Sequence, residues 1–81
     1  MPKINETDAF KRAKIKLDGS YLIRLEKLIR KIIENPNIGK PVQYERKGTR
    51  ELYLPPLRVS YAYDLMTDTL TLLTIYHKDD Q

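Results

Sequence analysis

Apolar residues recur at helical spacing in the first half of the chain and at strand spacing in the second half. Residues 20–34 carry a wide apolar stripe with charged residues between, which predicts a helix that ends before Pro36. Phe10, Ala13 and Leu17 share one helical face and predict a shorter helix before it. Because Asp18-Gly19-Ser20 is the only break between them, we expect an antiparallel helical hairpin.

Three short strands follow the helices. Arg50–Leu54 and Leu57–Asp64 alternate between apolar and polar residues, and Leu70–Tyr76 is apolar on both faces. Pro55-Pro56 ends the first of these strands, since proline donates no ladder hydrogen bond. The order predicts an α+β fold, in which an N-terminal helical hairpin packs on a three-stranded antiparallel meander. Lys3–Asn5 would add a fourth, very short edge strand.

The alternation along Leu57–Asp64 predicts which face each side chain occupies. If Val59 and Tyr61 face the helices, Arg58 must face the open side of the sheet. The sequence thus predicts an open sheet face that carries Arg58.

Length and composition narrow the class of protein. The chain has 81 residues, which we interpret as one domain over residues 1–81, and it has no cysteine for a disulfide or a thiolate metal site. No apolar run approaches the roughly 20 residues that span a bilayer, and the first ten residues lack a secretory h-region. We therefore expect a cytoplasmic protein without a membrane partner. Residues 40–58 carry five basic and two acidic residues, which favours a polyanionic partner.

The candidate chemistry rests on cations and one titratable group. A single histidine and no cysteine argue against a transition-metal site, and no cofactor motif is present. Cations and tyrosines gather in the second half of the chain: Lys47, Arg50, Arg58, His77 and Lys78, with Tyr53, Tyr61 and Tyr63. This set suits metal-free RNA cleavage, in which a ribose 2′-hydroxyl attacks the adjacent phosphate. His77 would act as acid or base, and the planar fork of Arg58 would clamp the phosphate.

Plainer interpretations of the same residues stay open. His77 at a strand end fits a surface or hydrogen-bonded structural residue, and Arg58 fits an ion pair with Glu51. The tyrosines fit core and strand-pairing positions, and Lys47 and Arg50 fit ordinary surface charges. Residue chemistry alone does not establish an enzyme.

Four segments together resemble the RelE/ParE superfamily of toxin–antitoxin toxins, from about Phe10 to Asp80. The segment ENPNIGKP resembles that family's helix exit, and KGTRELYL resembles its glycine-led first meander strand. The segment LRVSYAYD resembles the arginine-bearing strand, and IYHKDD resembles the closing strand with its basic exit pair.

The resemblance implies a fold, an activity and a partner. Ribonuclease members of the family cleave mRNA in the ribosomal A site without a metal, and a cognate antitoxin wraps and neutralises the toxin. By position, Arg58 matches the phosphate-stabilising arginine, Lys78 the basic residue after the last strand, and His77 the histidine before it. Lys47 and Arg50 match RNA-contacting basic positions, and we add Tyr61 as a third RNA-binding residue.

Three hypotheses follow from the resemblance. The first is a ribosome-dependent mRNA endoribonuclease, with Arg58, His77 and Lys78 as catalytic residues and no cofactor. The second is a gyrase-poisoning toxin, because basic residues that some ribonuclease members carry fall here on Glu51 and Tyr53. The third is a degenerate member that only binds an antitoxin.

Overall fold

The computed structural model describes residues 2–42 and 48–77 of the chain. The chain begins with strand β1 (Lys3–Glu6) and continues through helices α1 (Asp8–Ile15) and α2 (Gly19–Glu34). Four further strands follow: β2 (Lys40–Pro41), β3 (Thr49–Leu54), β4 (Leu57–Asp64) and β5 (Thr69–His77). No helix in these two ranges is long and apolar enough to cross a membrane.

Side-chain caps fix the start of both helices. The Thr7 hydroxyl accepts from the Phe10 amide at 3.1 Å, and an Asp18 carboxylate oxygen accepts from the Tyr21 amide at 3.1 Å. These bonds satisfy amides that the first turn leaves without an intrahelical partner. The hydrogen bonds that Asp18 accepts from Ser20 and Tyr21 hold the pKa of its carboxyl below the ordinary value. The break at Asp18-Gly19-Ser20 that the sequence predicts is therefore the cap of α2.

The two helices lie on one face of the sheet. Phe10 of α1 and Leu25 and Ile32 of α2 are fully buried with apolar residues of the strands. The strand residues of this core are Leu54, Val59, Tyr61, Leu70, Leu72 and Ile75. The α+β class and the packing of helices on a sheet are as predicted. We call the opposite face, which carries Glu51 and Arg58, the outer face.

The observed sheet differs from the predicted one in its number of strands and in the direction of its first strand, β1. The sheet has five strands in the order β1-β5-β4-β3-β2, rather than the three or four of a meander. β1 pairs with β5 in parallel, so the sheet is mixed rather than antiparallel, and the helices are preceded by a strand. The meander β3-β4-β5 is antiparallel as predicted. β2 escaped prediction because two residues are too few to show alternation.

A buried tyrosine ties the exit of α2 to the centre of the sheet. Tyr61 is fully buried, and its hydroxyl donates to the Pro36 carbonyl at 2.7 Å and accepts from the Gly39 amide at 2.9 Å. A Cβ on Gly39 would lie 2.8 Å from that hydroxyl oxygen, so only glycine fits. Arg50 Nη1 donates to the carbonyls of Asn37 and Gly39 at 3.1 and 2.7 Å. We call these contacts the Tyr61 clamp.

We expect Tyr61→Phe to lower the free energy of unfolding by about 1–3 kcal/mol, since it leaves the buried Gly39 amide without its acceptor. Urea denaturation followed by circular dichroism would measure this. Tyr53→Phe is the matched control, because Tyr53 is 55% exposed and the change should stay within about 0.5 kcal/mol. Equal stability of the two variants would contradict the role given to the clamp.

Candidate functional site

Arg58 lies at the centre of a row of residues on the outer face. It pairs with Tyr53 on one side and with Tyr76 on the other. Directly paired residues of neighbouring strands share a face of the sheet. Because the next residue, Val59, is fully buried under the helices, the row points away from them. Arg58 therefore occupies the face that the alternation predicts.

Glu51 joins Arg58 and Tyr76 into one polar cluster. Arg58 Nη1 donates to Glu51 Oε1 at 2.8 Å, and the Tyr76 hydroxyl donates to Glu51 Oε2 at 2.5 Å. The Arg58 and Glu51 side chains are 31% and 23% exposed, so the pair is partly shielded from water yet reachable. A guanidinium carries five N–H donors, and a carboxylate about four acceptor sites. The cluster therefore retains hydrogen-bonding capacity for a ligand.

A groove opens beside this cluster at the edge of the sheet. It has a volume of about 260 Å³ and is lined by Ile38, Lys40, Glu51, Leu52, Tyr53 and Arg58. Lys40 lies opposite Glu51 in the register of β2 and β3, so a second cation stands on the same face. We call this space the Tyr53 groove.

The structure does not bring His77 to Arg58. His77 pairs with Leu57, which packs against the core, whereas Arg58 pairs with Tyr76. His77 therefore lies on the helix-facing side of the sheet, where it lines a different groove with residues of α1. Contact between the predicted catalytic arginine and histidine would require them to share a face.

The predicted RNA-binding residues Arg50 and Tyr61 belong to the clamp. Burial raises the pKa of the Tyr61 hydroxyl, and the fully buried ring offers no surface on which a base could stack. The predicted RNA-binding role of Tyr61 would need an exposed ring, whereas the structure places this residue in the core. Arg50 directs Nη1 to the loop after α2, on the side opposite Arg58, so it does not extend the Arg58 cluster. Lys47 and Lys78 lie outside the described residues.

Sequence reasoning missed Tyr76 and Lys40 as neighbours of Arg58, although it grouped Tyr53 with the cations and weighed the Glu51 ion pair. Lys40 was missed together with β2, whose two residues show no alternation. Tyr76 was missed because of a register shift in the pairing of β4 with β5. Ser60 pairs with Thr74 but Tyr61 pairs with Leu72, so Leu73 is an extra residue. The shift lets Leu70, Leu72 and Ile75 all face the core, which simple alternation forbids. Because Ile75 faces the core, Tyr76 faces outward, and the register then pairs it with Arg58.

The groove that contains His77 has an apolar floor and basic residues. Its volume is about 450 Å³, and it lies between α1 and the end of β5. The apolar lining residues are Ala9, Ala13, Leu17, Leu57 and Ile75; the others are Arg12, Lys16, Tyr76 and His77. We call it the α1 groove.

Comparison with solved structures identifies the fold. A RelBE toxin–antitoxin complex of Mycobacterium tuberculosis contains a chain that matches with a TM-score of 0.82 and 23% identity, over 96% of this chain and 100% of that one. The intact Escherichia coli RelBE complex matches with a TM-score of 0.83 and 14% identity, over 95% and 96% of the two chains. YafQ of Escherichia coli matches with a TM-score of 0.75 and 18% identity, over 98% and 96%.

These matches define a class of fold. The chain has the fold of the RelE-like toxins, as its resemblance to that superfamily predicts. No family model and no curated protein sequence matches the chain.

We expect the Arg58–Glu51 pair to contribute a coupling of about 0.5–1 kcal/mol, since both side chains keep some contact with water. A double-mutant cycle with Glu51→Gln and Arg58→Met, measured by urea denaturation, would test this. The Lys14–Glu6 pair, also 2.8 Å long, offers a matched cycle away from the cluster. A coupling of zero at Arg58–Glu51 would mean that the ion pair adds nothing measurable to stability.

Proposed function

We propose that this protein is the toxin of a type II toxin–antitoxin system and cleaves mRNA on the ribosome. The fold supports the toxin class, since the isolated Escherichia coli RelE toxin and two RelBE toxin–antitoxin complexes are among the structures that share it. The observation that carries the cleavage proposal is the Arg58–Glu51–Tyr76 cluster on the outer face.

In this proposal the cluster has the groups that in-line cleavage of RNA requires. Glu51 removes the proton from the ribose 2′-hydroxyl, whose oxygen attacks the adjacent phosphorus. The P–O5′ bond breaks, and the leaving oxygen takes a proton from the Tyr76 hydroxyl. Arg58 stabilises the negative charge that accumulates on the phosphate oxygens. The products are a 2′,3′-cyclic phosphate and a 5′-hydroxyl.

The same proposal assigns different roles to the other predicted catalytic residues. His77 takes no part in the chemistry, because it lies on the helix-facing side of the sheet. Lys78, outside the described residues, stays a predicted phosphate contact, as Lys47 does. The substrate is mRNA on translating ribosomes in the cytoplasm, and the residues assigned here need no metal.

A cognate antitoxin completes the system. Toxin–antitoxin complexes from Mycobacterium tuberculosis and Escherichia coli share this fold, as does a RelE–RelB complex from Pyrococcus horikoshii. The α1 groove fits an amphipathic antitoxin segment, because its floor is apolar while Arg12 and Lys16 would attract acidic side chains. Neutralisation would then not require the antitoxin to touch Arg58.

We expect Arg58→Ala and Glu51→Gln to abolish mRNA cleavage and growth arrest, with losses of about 10²–10⁴-fold in rate for the missing base. His77→Ala should retain both activities. Primer extension on mRNA from expressing cells would show cuts within translated codons for wild type and His77→Ala.

Each other outcome has a defined meaning. Cuts that persist in Arg58→Ala would refute the assignment of the cluster, and cuts that vanish in His77→Ala would return the chemistry to His77. Growth arrest without cuts in wild type would indicate a gyrase-poisoning toxin. Normal growth without cuts would indicate a member that only binds an antitoxin.

We expect Ala9→Glu to weaken antitoxin binding at least tenfold while leaving mRNA cleavage intact, because it adds bulk and negative charge to the α1 groove. Titration calorimetry with the antitoxin would measure the loss. Met66→Glu is the control, since it adds the same charge at a residue that is 93% exposed in the turn between β4 and β5. Equal affinities of the two variants would exclude this groove as the antitoxin site.

A further inference from the structure

Tyr53 presents a large aromatic surface where the fold does not need one. It is 55% exposed on the outer face, directly opposite Arg58, whereas the buried Tyr61 belongs to the core. Ile38, on the loop between α2 and β2, is 42% exposed and lines the same groove. An exposed aromatic residue beside a second apolar residue marks a place where a flat ligand can bind.

The position of the groove is fixed by the main chain. The last described pair between β2 and β3 is Lys40 with Glu51, so β3 continues past the end of its neighbour. The space beside Leu52 and Tyr53 is the Tyr53 groove. The Tyr61 clamp holds Gly39, and Gly39 lies between Ile38 and Lys40. The groove therefore has one wall in the sheet and one wall on an anchored segment.

The charges of the groove select the class of ligand. Lys40 and Arg58 can hold phosphate oxygens, and Glu51 can accept hydrogen bonds from the edge of a base. An aromatic ring flanked by cations is the arrangement that proteins use for single-stranded nucleic acid. A protein partner would need an aromatic-binding segment that also offers anions to these two cations.

We propose that the Tyr53 groove binds one unpaired RNA base, stacked on the Tyr53 ring, next to the phosphate that Arg58 contacts. This inference rests on the proposed function and extends it, because the groove would determine which nucleotide lies beside the cleaved bond. Stacking tolerates every base, so the Glu51 carboxylate supplies any preference. Lys40 holds the phosphate on the outer side of that nucleotide.

The experiment measures binding of short, fluorescently labelled single-stranded RNA to the purified protein at low salt. Tyr53→Ala should weaken binding about 5- to 150-fold, the range that corresponds to stacking one base. Tyr53→Phe should bind like wild type, because it keeps the ring. Met66→Ala is the control, since Met66 is 93% exposed in the turn at the other end of β4.

A matched change in the ligand tests the base itself. An oligonucleotide with one abasic position at the site of binding keeps every phosphate, so wild type should lose about the same factor as Tyr53→Ala does. The two losses should not add, since each removes the same stack. Equal binding of intact and abasic RNA, or equal binding by Tyr53→Ala and wild type, would overturn the inference.

Primer extension separates this inference from the proposed function. Cuts in cells at unchanged codon positions for Tyr53→Ala, together with unchanged RNA binding, would leave the nuclease standing and remove the base site. Base-dependent binding without cuts by any variant would remove the nuclease and leave an RNA-binding groove. Loss of antitoxin affinity in Tyr53→Ala, with RNA affinity unchanged, would assign the groove to the protein partner instead.

Discussion

The hydrogen bonds of the Tyr61 hydroxyl are the constraint on which the position of the Tyr53 groove depends. The Tyr61 ring is fully buried in the core, so its hydroxyl cannot bond to water and needs hydrogen-bond partners within the protein. It finds them in the main chain just after α2, at Pro36 and Gly39. A core residue thereby determines the path of the segment that leads into β2. Since Ile38 and Lys40 lie on that segment, the core sets one wall of the Tyr53 groove.

The sheet keeps two kinds of surface apart. On its helix-facing side, the α1 groove combines an apolar floor with Arg12, Lys16 and His77. On the outer face, a carboxylate joins Arg58 to Tyr76, and an exposed ring adjoins them. The extra residue Leu73 determines which side chains reach each face. Because of it, Tyr76 lies on the outer face and His77 on the helix-facing side. Because the two proposed sites lie on opposite faces of the sheet, an antitoxin and an RNA strand would compete only if their bound parts overlapped sterically.

Several elements could be predicted from sequence because each carries a repeated signal. The periodicity of apolar residues predicts α2, β3 and β4. It also predicts that Arg58 lies on the outer face. β2 could not be predicted, because two residues show no alternation and the contact that holds the preceding Gly39 comes from Tyr61, far away in the sequence. The alternation along β4 that predicts an outward-facing Arg58 also predicts a buried Tyr61. The assignment of Tyr61 to RNA binding did not use this signal. Placing Tyr76 beside Arg58 required the register of β4 and β5, which the apolar run of β5 hides.

Some ribonuclease members of the family that this chain resembles carry basic residues where this chain has Glu51 and Tyr53. The structure shows what the exchange of basic residues for a carboxylate and an aromatic ring changes physically. Glu51 neutralises part of the charge on Arg58, so long-range attraction for a polyanion is reduced at this point of the surface. A stacked base contributes binding free energy that does not depend on counterion release, whereas lysine–phosphate contacts weaken as salt rises. A carboxylate next to the arginine also supplies a proton acceptor that a lysine would not. Under the proposed function, the exchange would trade affinity for the phosphate backbone against recognition of a base and a local proton acceptor.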